Sequence, residues 1–166
     1  MMFGQNQKLV EPEANEIVPG LWLGNDQSAT PKFLRAKNVS HVLNITPDLP
    51  FPVLNGPKVQ CLRIPVRSED TYVPVFIAAL PTVLQLIHRA RTAGGTVLVH
   101  CKKGHTRSAV VVFAYLTMKL NFSPLAAEYW IQSRRPQALR RTVDQNCLMN
   151  AVVQMQSKEN KTRNQT

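Results

Sequence analysis

The pattern of apolar and polar positions divides the chain into short β-type runs and longer helical ones. Ile17 to Gly24 reads as an edge strand entered through Pro19, and His41 to Ile45 and Val59 to Val66 read as two more strands. Thr30-Pro31 has the form of a helix N-cap followed by Pro at the first turn, so a short helix through Lys37 is expected. Pro47 to Pro57 is rich in Pro and reads as a loop. Val75 to Arg91 has helical spacing, with Val75, Leu80, Val83, Leu84 and Ile87 as the buried stripe. Pro81 is expected to bend or split that helix, and Ala93-Gly94-Gly95 to end it. A strand Thr96–His100 follows. Strand, helix, strand in that order is a right-handed crossover, which makes its strands parallel neighbours. Arg107 to Leu120 is apolar all round and reads as a buried central helix. Ser123-Pro124 caps another helix to about Arg134, and Asp144 caps a last one to about Gln156. The expected class is a single α/β domain: a central mixed, mostly parallel sheet flanked by helices. Residues 1–15 read as a flexible arm, 16–157 as the folded domain and 158–166 as a flexible tail.

The chemistry concentrates where the fourth strand hands over to the central helix. His100-Cys101-Lys102-Lys103-Gly104-His105-Thr106-Arg107-Ser108 is a polar loop between two buried segments. Such a loop sits on a helix N-terminus, where unpaired N–H groups and the positive dipole end attract anions. Lys102, Lys103 and Arg107 add positive charge, and a cysteine in such a field is activated as a nucleophile. Arg107 offers a planar fork for two oxygens of a phosphoryl group. Gly104 allows positive φ, so that successive N–H groups can form an anion nest. Ser108 is placed to donate a hydrogen bond to the sulfur, and His100 to orient the loop through its ring nitrogens.

His100-Cys101-x5-Arg107-Ser108 resembles the signature loop of the cysteine-dependent protein tyrosine phosphatases. The flanking residues resemble the dual-specificity branch, and within it the MAP kinase phosphatase catalytic domains. Val18-Pro19-Gly20-Leu21-Trp22-Leu23-Gly24 resembles that family's opening strand, and Val42-Leu43-Asn44-Ile45-Thr46 its second. Ile64-Pro65-Val66 resembles the stretch leading to its general acid, and Arg135-Pro136 the entry to its last helix. The resemblance implies the dual-specificity phosphatase fold and a double displacement through a cysteinyl phosphate. In it Cys101 is the nucleophile, Arg107 and the loop from Lys102 through Gly104, His105 and Thr106 bind phosphate, and Ser108 and His100 assist. The pocket is implied to be shallow, because larger tyrosine-specific relatives add a loop that deepens it. No cofactor or metal is implied. The four histidines show no ligand spacing with Cys or carboxylates.

The family's general acid is an Asp on the loop after the third strand. Matching the downstream helix and strand without a gap puts Asp70 there; counting forward from Ile64-Pro65-Val66 puts Ser68 or Glu69 there. Asp70 is favoured, since the family's acid is an Asp and the downstream match is longer.

Composition narrows the setting. The 166 residues carry a formal net charge of +10 and a sequence pI near 10.0, with 44% hydrophobic residues. The charge is uneven: residues 101–166 hold eleven Lys/Arg against three Asp/Glu. Anionic partners are expected, a phosphoprotein above all, with MAP kinases implied by the resemblance. Three cysteines fit a reducing compartment, cytoplasmic or nuclear, and no secretory signal or membrane span is expected. Cys61 and Cys147 read as core residues, with a redox pairing of Cys61 and Cys101 as the alternative. Arg134, Arg135, Arg140 and Arg141 read as a solvated face, with docking of phosphate or an acidic partner as the alternative. Trp22, Trp130 and Tyr115 read as core or interface aromatics, which gives no dedicated nucleic-acid site. Lys102 and Lys103 also resemble the basic loops of phosphoinositide-directed or phosphatidylglycerophosphate-directed members, so a lipid or polyphosphate substrate is the rival to a phosphoprotein. A phosphoprotein-binding module without catalysis is the third reading, opposed by the presence of Cys101, Arg107 and Asp70 together.

Overall fold

A computed structural model describes residues 11–56, 58–67, 73–140 and 143–165, with the side chains of 143 and 144 excepted. Ser68, Glu69, Asp70 and Arg141 lie outside the described residues, and so does the capping side chain of Asp144.

Five strands form one sheet in the order β1-β2-β5-β3-β4. They are β1 (Ala14–Val18), β2 (Leu21–Gly24), β3 (His41–Asn44), β4 (Gln60–Arg63) and β5 (Val97–His100). Only β1 is antiparallel to its neighbour. The expected single strand over Ile17–Gly24 is two strands folded back on each other. Pro19 cannot donate to a ladder and Gly20 sits at φ +77°, so the pair makes the turn. β4 and β5 are parallel as expected, but β3 lies between them, so the crossover skips a strand.

The helices are α1 (Pro31–Ala36), α2 (Val73–Thr92), α3 (Arg107–Met118), α4 (Pro124–Arg134) and α5 (Val143–Arg163). Thr30 caps α1 by accepting the Phe33 amide, and Ser123 caps α4 by accepting the Ala126 amide. Strand side chains alternate between the two faces of the sheet. Leu21, Leu23, Leu43, Val97 and Val99 join the large core with α2, α3, α4 and α5. Trp22, Val42 and Leu98 point the other way, to Phe33 and Leu34 of α1. Central β5 is buried along its whole length, and so is nearly every residue of α3.

α2 runs unbroken through Pro81. The lost backbone bond is outweighed by burial on either side of it, at Leu80, Val83, Leu84 and Ile87. By length and composition alone α2 could cross a membrane, but that stripe is packed against α3 and β5 in the core. Val75, expected in the stripe, is 48% exposed, and Phe76 takes the buried place. α5 continues past the expected end near Gln156, where the Gln156 side chain donates to the Thr117 carbonyl at 3.1 Å.

Cys61 and Cys147 are exposed rather than core residues. Cys61 pairs with Val42 on β3, and Val42 with Leu98 on β5, so Cys61 shares the α1 face while Cys101 lies in the core on the other. Two strand spacings, about 10 Å, separate them laterally. A disulfide needs Cα atoms within about 7 Å, so the Cys61–Cys101 pairing is excluded in this fold.

Phe113, fully buried in α3, tests the core. Replacing it by Ala should cost about 3–5 kcal/mol, read as a lower urea midpoint with unchanged slope.

Candidate active site

Cys101 follows β5 directly and is 3% exposed, at the floor of a cleft of about 550 Å³ that Lys103, Thr106, Arg107, Gln137 and Arg140 also line. Arg107 opens α3, so the loop between them lies on a helix N-terminus. Ser108, fully buried, holds its hydroxyl 3.0 Å from the Cys101 sulfur. The Arg107 guanidinium donates to the Val66 carbonyl at 2.9 Å and faces a second cleft of about 510 Å³, shared with Thr46, Asp48, Arg67 and Lys102. Arg107 is thus tied to the chain segment that leads on to Ser68, Glu69 and Asp70.

What shapes the loop is the fate of its carbonyls. Cys101 O accepts from His100 Nδ1 at 3.3 Å, and Lys102 O from the Asp26 amide at 3.0 Å. Lys103 O and Gly104 O accept from Arg135 at 3.0 and 2.9 Å. His105 O accepts from the Leu139 amide at 2.9 Å, and Thr106 O from the Val110 amide at 2.8 Å. Every carbonyl from Cys101 to Thr106 therefore has a donor. The amides of residues 102–107 donate to none among the described residues. Backbone N–H groups without an acceptor, set at a helix N-terminus, suit an anion with several oxygens.

Three features force this shape. Gly104 has φ +70°, and a Cβ there would run into the Gly24 carbonyl and come 3.0 Å from Arg135 Nη2. Arg135 is completely buried behind the loop, and its other bonds go to Pro12 O at 2.9 Å, Asn15 Oδ1 at 2.8 Å and Glu11 at 3.1 Å. Burial lowers the affinity of its guanidinium for the proton, while Glu11 and the Cys101 sulfur oppose that shift. Leu139 adopts φ +56°, which costs a non-glycine residue about 1–3 kcal/mol and aims its amide at the His105 carbonyl.

A family model, the dual specificity phosphatase catalytic domain, matches residues 21–155. The chain belongs to the dual specificity phosphatase family. Dual specificity protein phosphatase Mpk3 of Drosophila melanogaster is 37% identical over 123 residues, which are 73% of this chain and 29% of that protein. Dual specificity protein phosphatase 1B of Arabidopsis thaliana is 34% identical over 136 residues, 80% of this chain and 79% of that protein. The crystal structure of human DUSP28 superposes with a TM-score of 0.74 at 30% identity, covering 89% of this chain and 97% of that one. The chain thus spans under a third of the fly relative and about four fifths of the plant one.

Within this family loop the side chains divide. Cys101 and Arg107 line one cleft, and Ser108 reaches the Cys101 sulfur from behind it. Lys102 turns aside to Asp26, Nζ to Oδ2 2.5 Å, and His105 turns to Glu11, its Nε2–H donating at 2.9 Å to both carboxylate oxygens. These two residues leave their amides, not their side chains, to an anion. Lys103 is exposed and carries the loop's remaining ammonium. Thr106 caps α3 by position only, without a side-chain bond. The residue that sequence reading misplaced is Arg135, expected on a solvated face and found as the loop's internal brace. A run of two arginines before Pro136 looks like surface, and nothing local marks which one turns inward. Arg134 is the outward one, stacked on Trp130 at 3.5 Å.

Gly104→Ala should unfold the cup rather than the domain. Turnover of an aryl phosphate and vanadate affinity should both fall to background, with far-UV circular dichroism unchanged. His100 gives a second expectation. Burial holds its imidazole below the ordinary range, and Nε2 has no hydrogen-bond partner among the described residues. The unfolded chain takes up a proton at His100 before the folded chain does, so stability is full above about pH 6.5 and falls as pH drops below it. His100→Asn should flatten the melting temperature between about pH 7 and pH 5 relative to the wild type.

Proposed function

We propose that the chain is a dual-specificity protein phosphatase, hydrolysing phosphotyrosine and phosphoserine or phosphothreonine in proteins through a cysteinyl-phosphate intermediate. The observation that carries the reading is the loop on α3, whose carbonyls are all engaged from outside while its amides are left to an anion beside a buried sulfur. The Cys101 thiolate attacks phosphorus in line as the ester oxygen leaves. The amides of 102–107 and the free arm of Arg107 hold the equatorial oxygens as charge develops on them. Asp70, on the segment that follows Val66, supplies the proton to the leaving oxygen, with Glu69 as the alternative. It then takes one from the water that hydrolyses the thiophosphate. The Ser108 hydroxyl, 3.0 Å from the sulfur, stabilises it as it departs in that second step. A nucleophilic thiol without a disulfide partner suits a reducing compartment, cytoplasm or nucleus.

The phosphoprotein reading is preferred to the lipid or polyphosphate one on charge. A polyphosphate head group asks for several unpaired cations around the loop, yet Lys102 is already matched by Asp26 and the His105 ring is turned away to Glu11. MAP kinases are the substrates that the resemblance of the sequence suggests within this class.

Cys101→Ser should reduce hydrolysis of an aryl phosphate to background while the protein still binds vanadate or phosphopeptide. Asp70→Ala should hold phosphoprotein substrate in a stable complex, and Glu69→Ala should not. Assayed side by side on a doubly phosphorylated kinase-loop peptide and on phosphoinositide vesicles, the wild type should favour the peptide. Lipid activity higher by orders of magnitude would reverse the substrate assignment, and binding without turnover would remove the enzyme assignment.

A further inference from the structure

The loop's buried brace is itself held from a part of the chain that the family match does not include. Residues 11–15 precede the matched span, which begins at Leu21. Three groups of that segment converge behind the loop. Pro12 O and Asn15 Oδ1 accept from Arg135 Nη1, and the Glu11 carboxylate sits 3.1 Å from Arg135 Nη2. The same carboxylate accepts the His105 Nε2–H at 2.9 Å, so one acidic group touches both the loop and its brace. A backbone bond from the Asn25 amide to Glu13 O at 2.9 Å, with the start of β1, fixes this segment to the sheet.

The energetics give Glu11 its weight. Arg135 is a fully buried cation, and Glu11 is the one carboxylate paired with it among the described residues. A buried charge that loses its partner is strongly unfavourable, so the surroundings move to reach solvent or another acceptor. Arg135 cannot move without releasing Lys103 O and Gly104 O, and those carbonyls would then be free to turn into the cup.

We propose that Glu11 is a positioning residue for the phosphate loop, acting through Arg135 and His105 to keep the loop's carbonyls out and its amides in. The segment before the family domain then sets the catalytic rate. The proposal rests on the phosphatase reading for its kinetic test and on anion binding alone for the rest. It opposes a simple electrostatic expectation: a carboxylate near an anion site repels the anion, so removing it should tighten binding. Positioning requires the reverse.

The test compares wild type, Glu11→Ala, Glu11→Gln and Glu13→Ala on an aryl phosphate and by equilibrium binding of vanadate. Glu13 is exposed, and its substitution removes the same charge two residues away without touching the brace. Glu11→Ala should lower kcat by about tenfold or more, since a misplacement of about 1 Å can cost up to a hundredfold, and vanadate should bind more weakly. Glu11→Gln keeps an oxygen acceptor for Arg135 and should lose about two- to fivefold in kcat, a fraction of the loss from breaking the pair outright. Glu13→Ala should match the wild type. An unchanged kcat in Glu11→Ala, or tighter vanadate binding by it, overturns the proposal. Should Glu11→Ala fail to fold, Glu11→Gln decides: a reduced kcat at an unchanged melting temperature supports the proposal, and a wild-type kcat overturns it. If the wild type turns over no substrate, the phosphatase reading fails instead, and vanadate affinities alone decide on Glu11.

Discussion

The phosphate loop depends on where its carbonyl groups go. A backbone segment of seven residues carries as many acceptors as donors, and in a flexible loop both sorts would face the cleft. An anion would meet no net attraction from such a surface. Here the carbonyls are drawn outward one by one, by Asp26, Arg135, Leu139, Val110 and His100. What remains facing the cleft is donors alone, at the positive end of a helix. The cup beside Cys101 is built on that separation, and the buried sulfur stands at its floor.

The separation is stabilised by groups far apart in sequence. Arg135 caps the C-terminal end of α4, Leu139 lies in the loop after it, Asp26 follows β2, and Glu11, Pro12 and Asn15 come from the start of the described chain. They meet because β2 lies between β1 and β5 in the sheet and because α3 brings α4 against β1. Trp130 of α4 closes the same junction by donating to the Ile17 carbonyl at 2.8 Å. Burying a guanidinium in this junction is costly unless its hydrogen bonds are satisfied. The five acceptors around Arg135 satisfy them, and they do so only in the geometry that shapes the cup.

The architecture could be read from the sequence where burial speaks through composition. Val97–His100 and Arg107–Met118 are apolar enough that no other assignment competes, and the polar loop between them follows. Caps with a local mechanism, Thr30 and Ser123, were equally legible. The errors lie where a long-range partner decides. Pro19-Gly20 makes a hairpin because β2 has β5 to pair with on its far side. Cys61 is exposed because β4 is an edge strand. Arg135 and Glu11 carry charges whose partners are roughly a hundred residues away, and periodicity holds no information about them.

The strongly basic composition is a poor guide to what the site attracts, because part of the loop's charge is paired within the fold. Counted in sequence, the loop offers Lys102, Lys103, His105 and Arg107. In three dimensions Asp26 pairs with Lys102, the His105 ring turns away to Glu11, and Val66 O occupies one arm of Arg107. The field that a ligand meets in the cup comes chiefly from amide dipoles and a single guanidinium. It is short-ranged and suits one phosphoryl group. Long-range attraction is left to Lys103 and Arg140, which line the outer cleft beside Cys101, and to the basic C-terminal half. Such a division draws anions in by diffuse charge and discriminates among them by geometry. A loop with both lysines and the guanidinium unpaired would instead hold any polyanion.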